Sequence, residues 1–346
     1  MCDRQARQHR ETGFLLPSGE ALFPTRQSNR RNEVKQTMHD GQIIGVDHGY
    51  SAIKSPNFTF HAGVVSYDYE PYTRKNVLEY KGRFYVVGSG RAPLQKDKTL
   101  TDDYYLMTLA ALAKEISYRH LDRVARVHLA AGLPLTLKGR EQGGFAAYLL
   151  RDRKPVSFRF EGLDYTVTIT DVSIFPQGYS AYVLQTDLQR EPSVIVADCG
   201  GWTVDIMRVD EKQTNAGVCY SEQIGMIQCL GEITEEVRRR LGLSLTEAQI
   251  ESVLRGGMNS IPDEVRKIIR TNAEKYVSAL LSKITEHGMD YRITPAVFLG
   301  GGAFLMRRYV PPGVKLFRPV ILDDVRINAK AYERIAERYR SKGIHV

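Results

Sequence analysis

Two stretches of this chain repeat one plan, and few folds accommodate both. They are Ile43-Ile44-Gly45-Val46-Asp47-His48-Gly49-Tyr50-Ser51 and Val194-Ile195-Val196-Ala197-Asp198-Cys199-Gly200-Gly201-Trp202-Thr203. In each, four apolar residues lead to an Asp, then a spacer and a Gly, then a Ser or Thr, then a second apolar strand. An apolar run that short reads as a buried strand. Glycine beyond it lets the chain reverse with positive φ and lets backbone N–H groups approach an anion with no Cβ in the way. Two such hairpins can clasp a polyphosphate from both sides. A third stretch, Val297-Phe298-Leu299-Gly300-Gly301-Gly302-Ala303, lacks the acid and the hydroxyl. Gly300, Gly301 and Gly302 suit a backbone that lies flat against a base, ribose or phosphate, so the three stretches together read as a nucleotide site.

The acids supply what amides cannot. Magnesium takes oxygen ligands in an octahedral shell and keeps several waters, so carboxylates on facing hairpins can hold its hydration shell against phosphate. Asp47 and Asp198 are the candidate metal ligands, and with Gly49, Gly200, Gly201 and Thr203 they form the expected phosphate contacts. His48 sits where a histidine can touch phosphate or report pH near neutrality, although such a residue is more often only tolerated in a loop. Ser51 can donate to a phosphate oxygen. Lys54 is either a phosphate contact or a solvated strand end, and Ser51 is preferred over it.

The order Asp-x-Gly near the start, Asp-x-Gly-Gly-x-Thr past the middle and Gly-Gly-Gly-Ala near the end resembles the ATPase domain shared by actins, heat-shock chaperones and sugar kinases. Within that superfamily the chain most resembles the bacterial ParM/StbA actin-like proteins, the plasmid-segregation ATPases. Gly132-Leu133-Pro134-Leu135 after the strand Val127-His128-Leu129-Ala130 looks like that family's Gly-Leu-Pro segment, and Phe175-Pro176-Gln177-Gly178 looks like its connecting loop. The run from Asp198 through Asp205 is similar to its second phosphate loop. Asn328-Ala329-Lys330-Ala331-Tyr332 resembles the asparagine-alanine helix that closes such chains. The resemblance spans roughly residues 42 to 340. It implies an α/β actin-like ATPase fold, with two duplicated ribonuclease-H-like domains flanking a nucleotide cleft.

Composition agrees with this. A chain of 346 residues with 42% hydrophobic content exceeds what one core usually serves, so two domains are expected. These are residues 41–190 and 191–346, the closing helix packing back on the first. Residues 1–40 carry Arg4, Arg7, Arg10, Arg26, Arg30, Arg31 and Lys35 with few large apolar residues, and read as a disordered arm. Arginine-rich arms bind nucleic acid or acidic partners, while an unstructured extension or an over-long reading frame explains the composition as well. The formal charge is +8 and the sequence pI near 9.2. No apolar run reaches membrane-spanning length and the start has no signal-peptide h-region, so no membrane partner and a cytoplasmic location are expected. The cysteines at 2, 199, 219 and 229 show no metal-ligand spacing and read as reduced thiols. Cys199, inside the phosphate loop, is either a small loop residue or a thiol with lowered pKa. Arg238-Arg239-Arg240 either complement the dipole at a helix end or reach the ribose or base.

Pattern predicts a first β unit over residues 42–88, with Tyr67, Tyr69, Tyr72, Tyr80, Phe84 and Tyr85 along its hairpins and Tyr80-Lys81-Gly82-Arg83 as a turn. An amphipathic helix over 102–120 follows, capped by Asp102 or Thr101. Next come a strand at 127–131, alternation over 156–174 and a helix at 180–188. The second half carries strands at 194–198, 202–209 and near 215–224, helices at 229–241, 246–254 and 262–287, a strand at 296–299 and a closing helix at 326–341. Each half thus holds one phosphate hairpin. Neither has a complete site, so ATP should draw the domains together and hydrolysis should release them.

Hydrolysis needs a group that orients a water in line with the terminal phosphate. The resemblance puts it on the Phe175–Gly178 loop, where ParM-like proteins tend to have Glu after the proline and conventional actins use a nearby glutamine. Gln177 departs from the closer relatives: a neutral amide orients water but cannot take its proton, which implies slow turnover until polymerisation reshapes the cleft. Asp205 is the second catalytic candidate. The family implies an ATPase, with ATP or GTP and Mg2+ as cofactors. Its nucleotide-bound subunits self-associate head to tail into filaments that move plasmid DNA through a ParR-type DNA-binding adaptor. Two other readings remain: an actin-like scaffold that binds nucleotide with little turnover, which Gln177 also suits, and a small-molecule kinase of the sugar-kinase branch, which would need a catalytic carboxylate at that loop. A chaperone is least expected, since no substrate-binding domain follows residue 340.

Overall fold

The computed structural model describes residues 41–90, 97–257 and 260–344. The basic arm, residues 1–40, lies outside the described residues. In chain order the first half runs β1 (Gln42–His48), β2 (Ala52–Lys54), β3 (Thr59–His61), β4 (Val64–Tyr67), β5 (Val77–Tyr80), β6 (Arg83–Val87), α1 (Asp103–Tyr118), β7 (Val124–Leu133), α2 (Leu135–Leu150), β8 (Val156–Phe160), β9 (Leu163–Pro176) and α3 (Tyr179–Val183). The second half runs β10 (Ser193–Cys199), β11 (Val204–Asp210), β12 (Gln213–Glu222), α4 (Met226–Leu241), α5 (Glu247–Leu254), α6 (Asp263–Glu286), β13 (Ala296–Leu299), α7 (Leu305–Arg308), β14 (Pro319–Leu322) and α8 (Ile327–Ser341).

The duplication is legible in strand order. The second sheet reads β12-β11-β10-β13-β14, and the first contains the same order as β3-β2-β1-β7-β9 before continuing through β8-β5-β6-β4. In both, an antiparallel hairpin leads into three mutually parallel strands. Alternating side chains then serve two cores. Ile44, Val46, Leu129 and Ala131 face α1, and Ile195, Ala197 and Phe298 face α4 and α6. Their neighbours Ile43, Ala130, Val194, Val196 and Val297 face a third core that both sheets share with α3 and α8.

Helix α8 is seated hard against the first sheet. A Cβ on Gly45 would lie 2.0 Å from the Ala329 carbonyl oxygen, so only glycine permits that contact. The Gly45 N–H donates to Glu333 Oε2 at 3.0 Å, and Glu333 also pairs at 2.8 Å with Arg119, the residue that follows α1 at its C-terminal end. Phe175 stacks on Tyr332 at 6.0 Å between ring centroids.

Several elements differ from the sequence expectation, each for a physical reason. The aromatic hairpins over 64–87 do not join β1–β3 but form the far edge of the sheet beyond β8, because β5 pairs with β8. Helix α1 is buried all round from Tyr104 to Ala113, as a helix apolar on every side must be, rather than amphipathic. Helix α2 escapes pattern reading because Gly139, Gly143 and Gly144 lower its propensity by about 1 kcal/mol each; burial of Phe145 and Leu149 holds it. The segment at 180–188 is two short turns, α3 and a 3-10 turn at Leu188–Arg190. Strand β14 opens on Pro319, which an edge strand tolerates.

Candidate nucleotide site

Both hairpins place their acids in the same register. Asp47 lies opposite Lys54 across β1–β2, and Asp198 lies opposite Asp205 across β10–β11. The tips meet, since a Cβ on Gly201 would stand 2.3 Å from Ser51 Cβ. Between them lies a narrow cavity of about 50 Å³, lined by Asp47, Gly49, Tyr50, Ser51, Lys54, Lys98, Pro134, Gln177, Asp198, Gly200, Gly201, Trp202, Thr203, Asp205 and Asn328.

Two sets of hydrogen bonds, linked through the Gln177–Gly178 backbone, join the halves. Lys54 Nζ donates to Asp47 Oδ2 at 2.9 Å, and Gln177 Nε2 donates to Asp47 Oδ1 at 2.6 Å. The next N–H, that of Gly178, donates to Asn328 Oδ1 at 3.1 Å, and Asn328 Nδ2 donates to Asp198 Oδ2 at 2.7 Å. Burial works against the Asp47 carboxylate, but Lys54 and the Gln177 amide more than offset it and hold its pKa below the ordinary value. Asp198 has no such cation. Burial, and then the charge of Asp47, push it up to about 7 despite the Asn328 hydrogen bond. Burial raises Asp205 to about 6, and its Oδ1 atom is buried without a hydrogen-bond partner. The cavity is therefore rich in carboxylate and short of positive charge.

Thus the structure gathers Asp47, Gly49, Ser51, Gln177, Asp198, Gly200, Gly201, Thr203 and Asp205 around one cavity. Four others do not line it. His48, read from sequence as a phosphate contact, is turned into the first domain: its Nε2 bonds Thr108 Oγ1 at 2.8 Å and its ring meets Phe145 edge-on. Burial, and then Lys98, lower its pKa to about 3, so it is neutral and no pH reporter near neutrality. Gly300 and Gly302 lie behind Asp198 and Cys199, and Gly301 is open; none of the three lines the cavity. Cys199 is fully buried, and burial pushes its thiol well above the ordinary value, which excludes the reactive reading. Arg238 and Arg240 make surface ion pairs with Glu235 and Glu236 at the far end of α4.

Sequence reasoning missed Lys98, which belongs to no motif, and passed over Tyr50, the spacer between Gly49 and Ser51 of the first hairpin. Asn328 was visible only as part of a closing helix, and nothing in its spacing announces the bond to Asp198.

Residues 45–179 match the family model for the N-terminal domain of actin-like proteins. The chain has the actin-like fold. Among solved structures it is similar to Ta0583, an archaeal actin homologue, at 20% identity and a TM-score of 0.68, covering 86% of this chain and 99% of that one. It is likewise similar to the actin-like protein Alp7A, at 14% identity and TM-score 0.68, covering 87% and 98% of the two chains. Bacillus thuringiensis ParM, solved with ATP, matches at 14% identity and TM-score 0.63 over 87% and 99%. No curated protein matches the chain in sequence. At these identities the likeness carries the fold alone, and the chemistry of this actin-like chain has to be argued from its own cavity. No helix among the described residues is long and apolar enough to cross a membrane.

Proposed function

We propose that this chain binds and hydrolyses ATP between its two hairpins and assembles, in the nucleotide-bound state, into filaments that segregate plasmid DNA through a DNA-binding adaptor. The observation that carries the reading is the path Lys54–Asp47–Gln177, Gly178–Asn328–Asp198, which closes two phosphate hairpins over one cavity. Similarity to a ParM solved with ATP and to an archaeal actin homologue solved with ADP supports the choice of nucleotide.

Magnesium fits the donor set. Asp47, Asp198 and Asp205 offer hard oxygen atoms, one of them an orphaned buried Oδ1, in a pocket short of cations. Among the described residues no group of three or more His, Cys, Asp or Glu is placed to hold a metal ion by itself. Once bound, the ion neutralises phosphate charge. The chain's own residues do the rest. Backbone amides of the two hairpins bind phosphate, Gln177 orients the attacking water, and Asp205, ionised above about pH 6, accepts a proton. Gln177 is held in place by its bond to Asp47, but a neutral amide orients water without taking its proton, and slow turnover is expected in the free subunit.

Light scattering and sedimentation with magnesium and ATP, GTP or a non-hydrolysable ATP analogue, alongside phosphate release, test this. Polymer should appear with nucleotide, decay as phosphate accumulates and vanish in Asp198→Ala. Binding without polymer or phosphate release would favour a nucleotide-binding scaffold, a role the neutral Gln177 also suits.

A further inference from the structure

Five charged side chains line the cavity, and four are accounted for by the reading above. Lys54 is committed to Asp47, and the three acids are the candidate metal and proton-transfer groups. Lys98 remains. Its side chain is buried, with only 6% of the residue exposed. Nζ donates to the His48 carbonyl oxygen at 2.5 Å and sits 4.7 Å from the Tyr50 ring centroid. Asp47, Asp205 and Glu141 attract it through space, with no hydrogen bond to any of them. An ammonium has three donors, and burying one without a bonded anion is unfavourable. Burial accordingly lowers its pKa to about 8.

The location says which anion would complete it. Lys98 lines the same narrow cavity as Asp47, the Gln177 amide that Asp47 holds, and Asp205, so its ammonium stands where the reading above puts the attacking water and the terminal phosphate. Its anchor, the His48 carbonyl, is backbone of the first phosphate hairpin, and its own segment leads into α1 through Asp102.

We propose that Lys98 binds the terminal phosphate of a nucleoside triphosphate, making it the residue that separates triphosphate from diphosphate and ties α1 to the state of the first hairpin. The proposal rests on the nucleotide reading of the cavity. Charge-assisted hydrogen bonds to phosphate are the strong ones, so their loss falls on one ligand and not the other.

The test is direct titration of wild type, Lys98→Met and Lys98→Arg with a non-hydrolysable ATP analogue and with ADP, both with magnesium, plus melting of each nucleotide-free variant. Lys98→Met should weaken the triphosphate analogue by about ten- to a hundredfold and ADP by less than about threefold, with Lys98→Arg intermediate. Its nucleotide-free form should melt no lower than wild type, because a buried charge is removed. Should Lys98→Met fail to fold, Lys98→Gln, which keeps a donor for the His48 carbonyl but no charge, carries the same expectation. Equal losses for both ligands, or no loss for either, overturn the role of Lys98. Wild type that binds neither ligand overturns the nucleotide reading itself, and the proposal with it.

Discussion

Asp205 occupies, opposite Asp198, the position that Lys54 occupies opposite Asp47. One duplicated hairpin thus holds an ion pair where its counterpart holds two acids. The Lys54 ion pair accounts for the Asp47 carboxyl staying below its ordinary range; without such a paired cation, burial raises Asp205 to about 6, and burial followed by the charge of Asp47 raises Asp198 to about 7. The strands are equivalent in backbone and opposite in electrostatics.

Stability of the nucleotide-free protein should therefore fall as pH rises. Both groups have folded-state values above the ordinary 3.8. Their contribution is fully present below that value and is lost as pH climbs through the folded values, because the unfolded chain ionises freely and the fold resists. The buried, neutral His48 works the other way below about pH 6.5, so the net drop in the melting midpoint between about pH 5 and about pH 8 should be only a few degrees. Asp198→Asn should flatten that profile and raise the midpoint at the alkaline end. A wild-type midpoint independent of pH would show that the cavity admits enough water to relieve the carboxylates.

Turnover should depend on Asp205 in a different way from binding. Asp205→Asn keeps the shape and removes the proton acceptor, so phosphate release should fall by about a hundredfold or more, far beyond any loss of magnesium-nucleotide affinity from the missing oxygen donor. The wild-type rate should rise through about pH 6, where Asp205 ionises, and the variant should lose that limb. An unchanged pH profile in Asp205→Asn would leave Gln177 as the only catalytic side chain.

The fold was legible because glycine and aspartate placed after short apolar runs are local signals, and both hairpins formed where those signals stood. What stayed hidden depends on distant partners. Lys98 follows no motif, and its place in the cavity, bonded to the His48 carbonyl, appears only in the folded chain. His48 was a candidate phosphate contact because it neighbours Asp47, yet alternation along β1 turns its ring to the opposite side, against Thr108. Helix α2 failed by composition: three glycines suppress a pattern that tertiary burial of Phe145 restores.

Glu333 should be among the most sensitive positions outside the cavity. It accepts the Gly45 N–H and pairs with Arg119, whose other contacts are Glu115 and the Ile43 carbonyl. Both partners are mostly buried, with side chains 21% and 16% exposed for Arg119 and Glu333. Glu333→Ala leaves a buried guanidinium short of charge and a strand N–H without a partner, at about 2–4 kcal/mol. Glu333→Gln retains an acceptor and should cost less than half of that. Urea unfolding of the two variants checks the order, and equal losses would mean that only the packing of α8 matters.

The contact between hairpin tips gives a test that separates closure from chemistry. Gly201→Ala puts a methyl 2.3 Å from Ser51 Cβ, so the tips must part or the strands must shift. Overpacking of this kind costs about 1–3 kcal/mol. Ser51→Gly removes the obstructing atoms, and the next neighbour of the new methyl is then Ser51 Cα at 3.5 Å, an ordinary contact. The double variant should therefore recover most of the melting midpoint that Gly201→Ala loses, although Ser51→Gly alone gains nothing. Such non-additivity is the signature of two residues in contact across the cleft. Additive effects would show that the two tips stand apart in solution and that the closed cavity is not the resting state of the free subunit.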